Sequence, residues 1–276
     1  MSHACHQPHE HLLAKRRLSP EEQAVLSDWV ADYQEALRPL RADLAGALAD
    51  MRLDNPGAIR GSVRSLVREL EAEFETVFHE GAREGARAGR ALAVRRHDLA
   101  IDFDLVPRRV LDDLDEWVDV AVGSTLDTIT DDASNWLRGA HEEGLDIDDI
   151  ADRLNEELFE GRLEDHVAER AARTGTVSTS NVGTHTAHEE APGVIAERWL
   201  ATGDDRTRES HAAAHGQVVG VDRTFEVGGS FLRHPGDPRA PLEELVNCRC
   251  TTTPVFADDL TEAERKAIRA GHRLWL

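Results

Sequence analysis

The chain changes periodicity once. From Ser19 to Ala191 apolar residues recur three and four apart, and after Pro192 short apolar groups alternate with glycine and proline. Spacing of three and four marks one face of an α-helix, whereas short runs bounded by turn residues mark strands. The first run opens on Ser19-Pro20-Glu21-Glu22, which supplies an N-cap hydroxyl, a proline at the first helical position and an acid at the third. Val30, Tyr33, Leu37, Leu40 and Leu44 then predict a helix that the Asn55-Pro56-Gly57 breaker ends. Val63, Leu66, Val67, Leu70, Phe74, Val77 and Phe78 form the stripe of a second helix, continued by Gly81, Gly85 and Gly89 at intervals of four. Glycine costs a helix up to about 1 kcal/mol per residue. Three in register point either to a close helix–helix contact or to a fraying end.

A linker ending at Pro107 precedes a third helix carrying Val110, Leu114, Trp117, Val118 and Ala121. The stretch GLDIDDIADRLNEEL starts another, with Asp146 or Asp148 at its cap and acids in the first turn, where the helix dipole favours them. The polar Ser/Thr/Gly centre of EDHVAERAARTGTVSTSNVGTHTAHEEA reads as a helix buried against another element, or as a loop. Beyond Pro192, VIAERWLAT predicts a strand, DDRTRESHAAAH a turn and a short helix, and QVVGV and TFEV short segments. RCTTTPVF reads as a last strand and TEAERKAIRAG as a last helix. The expected fold class is therefore α+β: a flexible His-rich tail over 1–17, a helical region over 18–191, and a small loop-rich α+β domain over 192–276.

No apolar run approaches the roughly 20 residues that span a bilayer, and the first residues do not resemble a secretion signal. A soluble, non-exported protein without a membrane partner is expected. The net charge is −21, and Lys15 and Lys266 are the only lysines. Arginine in place of lysine fits a GC-rich genome. The acid excess fits better a halophilic host, where salt screens the repulsion between carboxylates. Such a surface repels phosphate, so wrapping DNA is not expected, although GAREGARAGR and VRRH are locally basic.

The candidate chemistry lies in the last 80 or so residues. His211 and His215 are four apart in a short helical pattern, Cys248 and Cys250 are two apart and share a side on a strand, and His234 precedes a Pro-Gly turn. Zinc takes four N/S ligands. His211, Cys248 and Cys250 with either His215 or His234 would supply them. The alternatives are two small buried thiols with His211 bonded to backbone, or a strained disulfide between the two cysteines. Arg206 and Arg208 beside Asp204 and Asp205 form either an anion clamp or a salt-bridged turn. His3, Cys5, His6, His9 and His11 belong to a tail that is disordered or binds metal adventitiously. No nucleophile signature surrounds Cys248, and HExxH, GxSxG and a phosphate loop are all absent from the sequence. No catalytic residue is assigned.

The run RWLATGDDRTRESHAAAHGQVVGVDRTFEVGG, followed by LRHPGDPRAP and ELVNCRCTTTPVF, resembles the C-terminal domain of the Mu gpF-like phage head morphogenesis (minor capsid) proteins. The motif positions are Trp199, Asp205 (or Asp204), Arg206, Thr207, Arg208, His211, Gly216, Phe225, His234, Pro235, Asp237, Asn247, Cys248, Arg249 and Cys250. The resemblance spans roughly Arg170 to Phe256. Thr174 and Asn181 fit the family's preceding segment, and Gly175 stands where an acid is common.

The resemblance implies a non-enzymatic minor head protein of a tailed virus. Its expected partners are the portal protein, with the major capsid protein and sister copies as further ones. Its expected place is the capsid interior near the portal, and the host cytoplasm during assembly. Two alternatives stay open: a metal-dependent hydrolase or toxin-like enzyme in the C-terminal domain, and a genome-contacting protein inside the capsid. Related domains occur joined to toxin modules, and none is expected in the short segment after the motif.

Overall fold

The computed structural model describes residues 17–102 and 108–276. The His-rich tail with His3, Cys5, His6, His9 and His11, and the linker end at Pro107, lie outside the described residues. Contacts divide the chain into two compact units. One is Glu21–Gly85 with Pro107–Thr179. The other is Ala86–Val106 with Ser180–Leu276.

The first unit is helical. It draws on α1 (Pro20–Ala36), α2 (Arg38–Ala47), α3 (Pro56–Arg68), α4 (Glu71–His97), α5 (Arg108–Glu142), α6 (Ile147–Arg153), a π-helical stretch (Leu154–Val167) and α7 (Ala168–Glu190). Helix α1 begins on Pro20, as its start sequence predicts. Three expectations need correction. The helix predicted through Val30 to Leu44 is two helices, α1 and α2, parted at Leu37, and α2 ends at Ala47, before the Asn55 breaker. Asn55-Pro56-Gly57 is a helix start as well as a break: Asn55 Oδ1 accepts from the Gly57 and Ala58 amides at 3.0 and 3.1 Å, and Pro56 opens α3. The apolar stripe from Val63 to Phe78 belongs to two helices, α3 and α4, parted at Glu69-Leu70. Leu70 is buried at that joint, so the apolar spacing runs through a turn it cannot reveal.

Aromatic rings fill this unit's core. Trp29 meets Phe78 and Trp117 edge-on at 5.5 and 5.8 Å, and Tyr33 meets Phe74 at 4.9 Å. Glycines make room for the indole: a Cβ on Gly81 or Gly175 would fall 2.3 or 2.5 Å from the Trp29 ring. Gly175, in the position where the resemblance led us to expect an acid, therefore has a packing reason. Asp146 caps α6 by accepting from the Asp149 amide at 2.9 Å, which decides between the two candidate caps.

In the second unit the later part of α4 crosses the later part of α7 backbone to backbone. A Cβ on Gly89 would lie 1.9 Å from the Ser180 carbonyl oxygen, and one on Gly183 1.9 Å from that of Ala86. The glycine run of α4 therefore marks close packing at Gly81 and Gly89. The polar centre of α7 is a helix and not a loop, and residues 174–188 are all buried. Thr176, Thr179 and Thr186 hydroxyls donate to carbonyls four residues back at 2.8–2.9 Å, so these polar side chains are satisfied within the helix.

The rest of this unit holds β1 (Val194–Leu200), α8 (Glu209–Ala214), β2 (Gln217–Gly220), β3 (Phe225–Val227), β4 (Ser230–Leu232), α9 (Leu242–Leu245), β5 (Thr251–Phe256), α10 (Glu262–Arg269) and β6 (Leu274–Trp275). The antiparallel sheet runs β5-β1-β2-β6. A further strand thus follows RCTTTPVF. Pro254 in β5 is tolerated because β5 is an edge strand. Strands β3 and β4 form a hairpin across Gly228 and Gly229, whose φ values of 59° and 81° are those a tight two-residue turn requires. The strand period puts Glu197 and Trp199 on one face of β1, which Ala201 follows. Trp199 and Ala201 pack with Phe225, Leu232, Cys248 and Cys250. Ala196, on the other face, packs with Val218, Val255, Leu260 and Ile268. The class is α+β, and helix gives way to strand between Glu190 and Val194.

Candidate functional site

The two close cysteines meet the α8 histidine. His211 Nδ1 lies 3.2 Å from Cys250 Sγ and 3.7 Å from Cys248 Sγ, and all three residues are buried. The thiols are not joined in a disulfide. Asn247, in the left-handed region at φ 58°, turns the chain out of α9 so that Cys248 and Cys250 both reach His211. Asparagine tolerates that conformation better than most residues. From α7, the Asn181 amide donates to the Cys250 carbonyl at 3.0 Å. The other side of the imidazole faces an acid: Glu244 Oε2 is 2.9 Å from His211 Nε2, off the ideal N–H direction. Glu244 also accepts from Ser210 Oγ at 2.8 Å. Gly228 leaves it space, since a Cβ there would lie 2.2 Å from Glu244 Oε1.

This arrangement polarises the two thiols in opposite senses. A hydrogen bond from Cys250 and the neighbouring His211 hold the Cys248 thiol well below its ordinary range, against burial. Sharing that bond with Cys248, together with burial, pushes the Cys250 thiol up. Burial alone would lower His211, but its contact with Cys248 raises it.

Beside this cluster the basic motif folds back on itself. Arg249 grips Asp204 with two nitrogens at 2.6 Å each, the fork geometry that suits carboxylates. Asp204 also accepts from Thr207 Oγ1 at 3.1 Å and from the Arg206 amide at 3.2 Å. These partners hold its carboxyl well below the usual range, Arg249 foremost. Arg208 donates to the Val246 carbonyl. This is the salt-bridged turn of the two readings, with Arg249 as the arginine engaged. Of the two candidate acids, Asp204 points back at the turn, while Asp205 is exposed. Thr202, Arg206, Thr207, Arg208, His211, Asn247, Arg249 and Cys250 line a cleft of about 10 Å³, room for a single water.

A second buried network lies on the α7 side of β1. Glu197, 1% exposed, receives His185 Nδ1 on Oε2 and His188 Nδ1 on Oε1, both at 2.6 Å, and the Thr252 hydroxyl on Oε1 at 2.9 Å. Burial opposes the Glu197 charge, but the His185 charge and the two imidazole bonds hold its carboxyl far below the normal range. Burial likewise opposes the His185 charge, and Glu197 raises it nonetheless. The His234 ring lies 5.6 Å from that of His185, tilted by 43°, and is pushed down to about 4, chiefly by burial.

Of the five ligand candidates, the structure brings His211, Cys248 and Cys250 together. His215 accepts from the Ala201 amide at 3.2 Å instead. His234 sits by His185, at the turn where Asp237 accepts from the Arg233 and Arg239 amides at 2.8 and 3.1 Å. That pair of bonds explains Pro235 and Asp237 as turn-formers. Sequence reasoning missed Glu197, His185, His188 and Glu244. The first three had a visible signal: a lone acid inside an apolar strand, and two histidines three apart in a helix with no charged residue between them. Glu244 had none.

Residues 132–253 match the family of Phage Mu protein F like protein. The uncharacterized protein YqbB of Bacillus subtilis (strain 168) is 26% identical over 166 residues, which is 57% of this chain and 52% of that protein. The NAD(+)--arginine ADP-ribosyltransferase EFV of Enterococcus faecalis (strain ATCC 700802 / V583) is 36% identical over 127 residues, 45% of this chain and 25% of that protein. The chain thus spans about half of the first relative's length and a quarter of the second's. No solved structure matches it. Among the described residues, no helix is long and apolar enough to cross a membrane.

Proposed function

We propose that this chain, whose residues 132–253 belong to the Phage Mu protein F like family, is a minor head protein of a tailed virus that associates with the portal protein during capsid assembly and stays in the virion. The family match over residues 132–253 is the observation that carries this reading. The geometry supports it. The motif residues are spent on one another: Arg249 on Asp204, Asn247 on a left-handed turn, Asp237 on a loop, and His211 on two thiols. The cleft lined by His211, Asn247 and Arg249 has about 10 Å³ free, room for a single water. The transferase named among the relatives shares a quarter of its length with this chain, so its name lends no weight to an enzymatic reading here.

The test is co-expression of the full chain with the portal protein of the same genome, followed by size exclusion at high and low salt. A stoichiometric complex that survives high salt is expected. Separate elution of the two proteins at both salts, with both folded, would refute the portal association.

A further inference from the structure

We propose that His211 Nδ1 and the thiolates of Cys248 and Cys250 bind one zinc ion, with a water in the cleft as fourth ligand. The donor set is an imidazole and two thiolates, which zinc prefers over calcium or magnesium. With metal–nitrogen and metal–sulfur bonds of about 2.0 and 2.3 Å, a tetrahedron places nitrogen and sulfur about 3.5 Å apart. The two Nδ1–Sγ distances are 3.2 and 3.7 Å, and the three donor atoms all lie within 4.8 Å of one another. The thiols are thus already spaced as ligands, with little movement left to make.

Three further features support the site. Glu244 stands 2.9 Å from His211 Nε2, on the far side of the ring. A carboxylate behind a ligating imidazole fixes its orientation and strengthens it as a donor. Glu244 is therefore a positioning residue, held by Ser210 and given space by Gly228. The adjoining cleft, lined by His211 and Cys250, has about 10 Å³ free, which suits one water. Charge also balances: on binding, each thiol releases its proton, and two thiolates neutralise the dication. Arg208 and Arg249 at the cleft then face no net positive charge, and each is already engaged, with the Val246 carbonyl and with Asp204.

The proposal does not depend on the portal reading, and its test needs no partner. The full chain, in a Cys5→Ser background, is stripped with chelator and titrated first with zinc and then with cobalt(II). One equivalent is expected to bind, and cobalt should show thiolate charge-transfer bands and tetrahedral ligand-field bands. Glu244→Gln should weaken zinc about 10- to 100-fold, Cys250→Ser should abolish stoichiometric binding, and His215→Ala should change neither. If Cys250→Ser does not fold, the cobalt spectrum of the parent and the Glu244→Gln affinity decide. A folded parent that binds no zinc at tenfold excess would overturn the proposal. So would cobalt bands without thiolate character, or Glu244→Gln and His215→Ala weakening zinc equally.

Discussion

Glu197→Gln keeps the shape of the buried side chain and removes its charge. The carboxylate accepts three hydrogen bonds, from His185 and His188 at 2.6 Å and from Thr252 at 2.9 Å. An amide keeps one oxygen to accept with and turns its NH2 toward a second imidazole N–H. At least one charge-assisted bond is lost, worth about 1.5–3 kcal/mol, and a buried donor then faces another donor at a cost of about 1–3 kcal/mol. The expected loss is about 3–5 kcal/mol, in line with breaking a buried ion pair. In urea, at a slope of about 2 kcal/mol per molar, the midpoint at pH 7 should fall by roughly 1.5–2.5 M. Far-ultraviolet circular dichroism reads it.

The acid and base limbs test the same network. Glu197 titrates at 4.5 unfolded and lower when folded, so its contribution is present above 4.5 and is lost as pH falls toward the folded value. His185 titrates at 6.5 unfolded and higher when folded, so its contribution is full below 6.5 and is lost as pH rises through the folded value. The Gln variant should flatten both limbs. A midpoint shift below about 0.3 M, or unchanged limbs, would refute the assignment of a charged network.

Gly89→Ala should destabilise by about 1–3 kcal/mol, because its Cβ would lie 1.9 Å from the Ser180 carbonyl oxygen and force α4 and α7 apart. Gly46→Ala in α2, where nothing lies within 4 Å, should instead stabilise by up to about 1 kcal/mol; denaturant midpoints of the two variants check the contrast. Arg249→Lys loses the two-nitrogen grip on Asp204. It should lower the melting temperature, and adding Asp204→Asn should lower it little further.

Helix positions were legible because the apolar spacing of α1, α4 and α5 is sustained over several turns. The joint at Glu69-Leu70 was not, because Leu70 remains apolar and in register across it. The burial of α7's polar centre was legible from composition, its helical form less so: small residues let backbones meet, as Gly89 does with Ser180 and Gly183 with Ala86. The His211, Cys248 and Cys250 cluster was legible from residue type, but its membership was not. His215 and His234 have the right chemistry, and only the fold sends one to the Ala201 amide and the other to His185. Glu244 was invisible because one glutamate in LEEL looks like any solvated acid until Gly228 and Ser210 are placed beside it. Asp204 and Asp205 are chemically alike, and the direction of the turn chooses between them.

The unit that holds both buried networks is assembled from distant stretches of chain, Ala86–Val106 and Ser180–Leu276. This has a consequence for synthesis. On the ribosome, the piece of α4 carrying Gly89 emerges with its contact surface bare, and residues 107–179 must be translated before the later part of α7, from Ser180, arrives to meet it. At about 5–20 residues per second the wait is on the order of ten seconds. The wait for Glu197, and then for Thr252 and the cysteines, is longer still. A nascent chain that stalls before Glu197 presents His185 and His188 with no carboxylate to hold them. A fragment begun at Pro192 has the reverse defect, a buried glutamate with neither histidine.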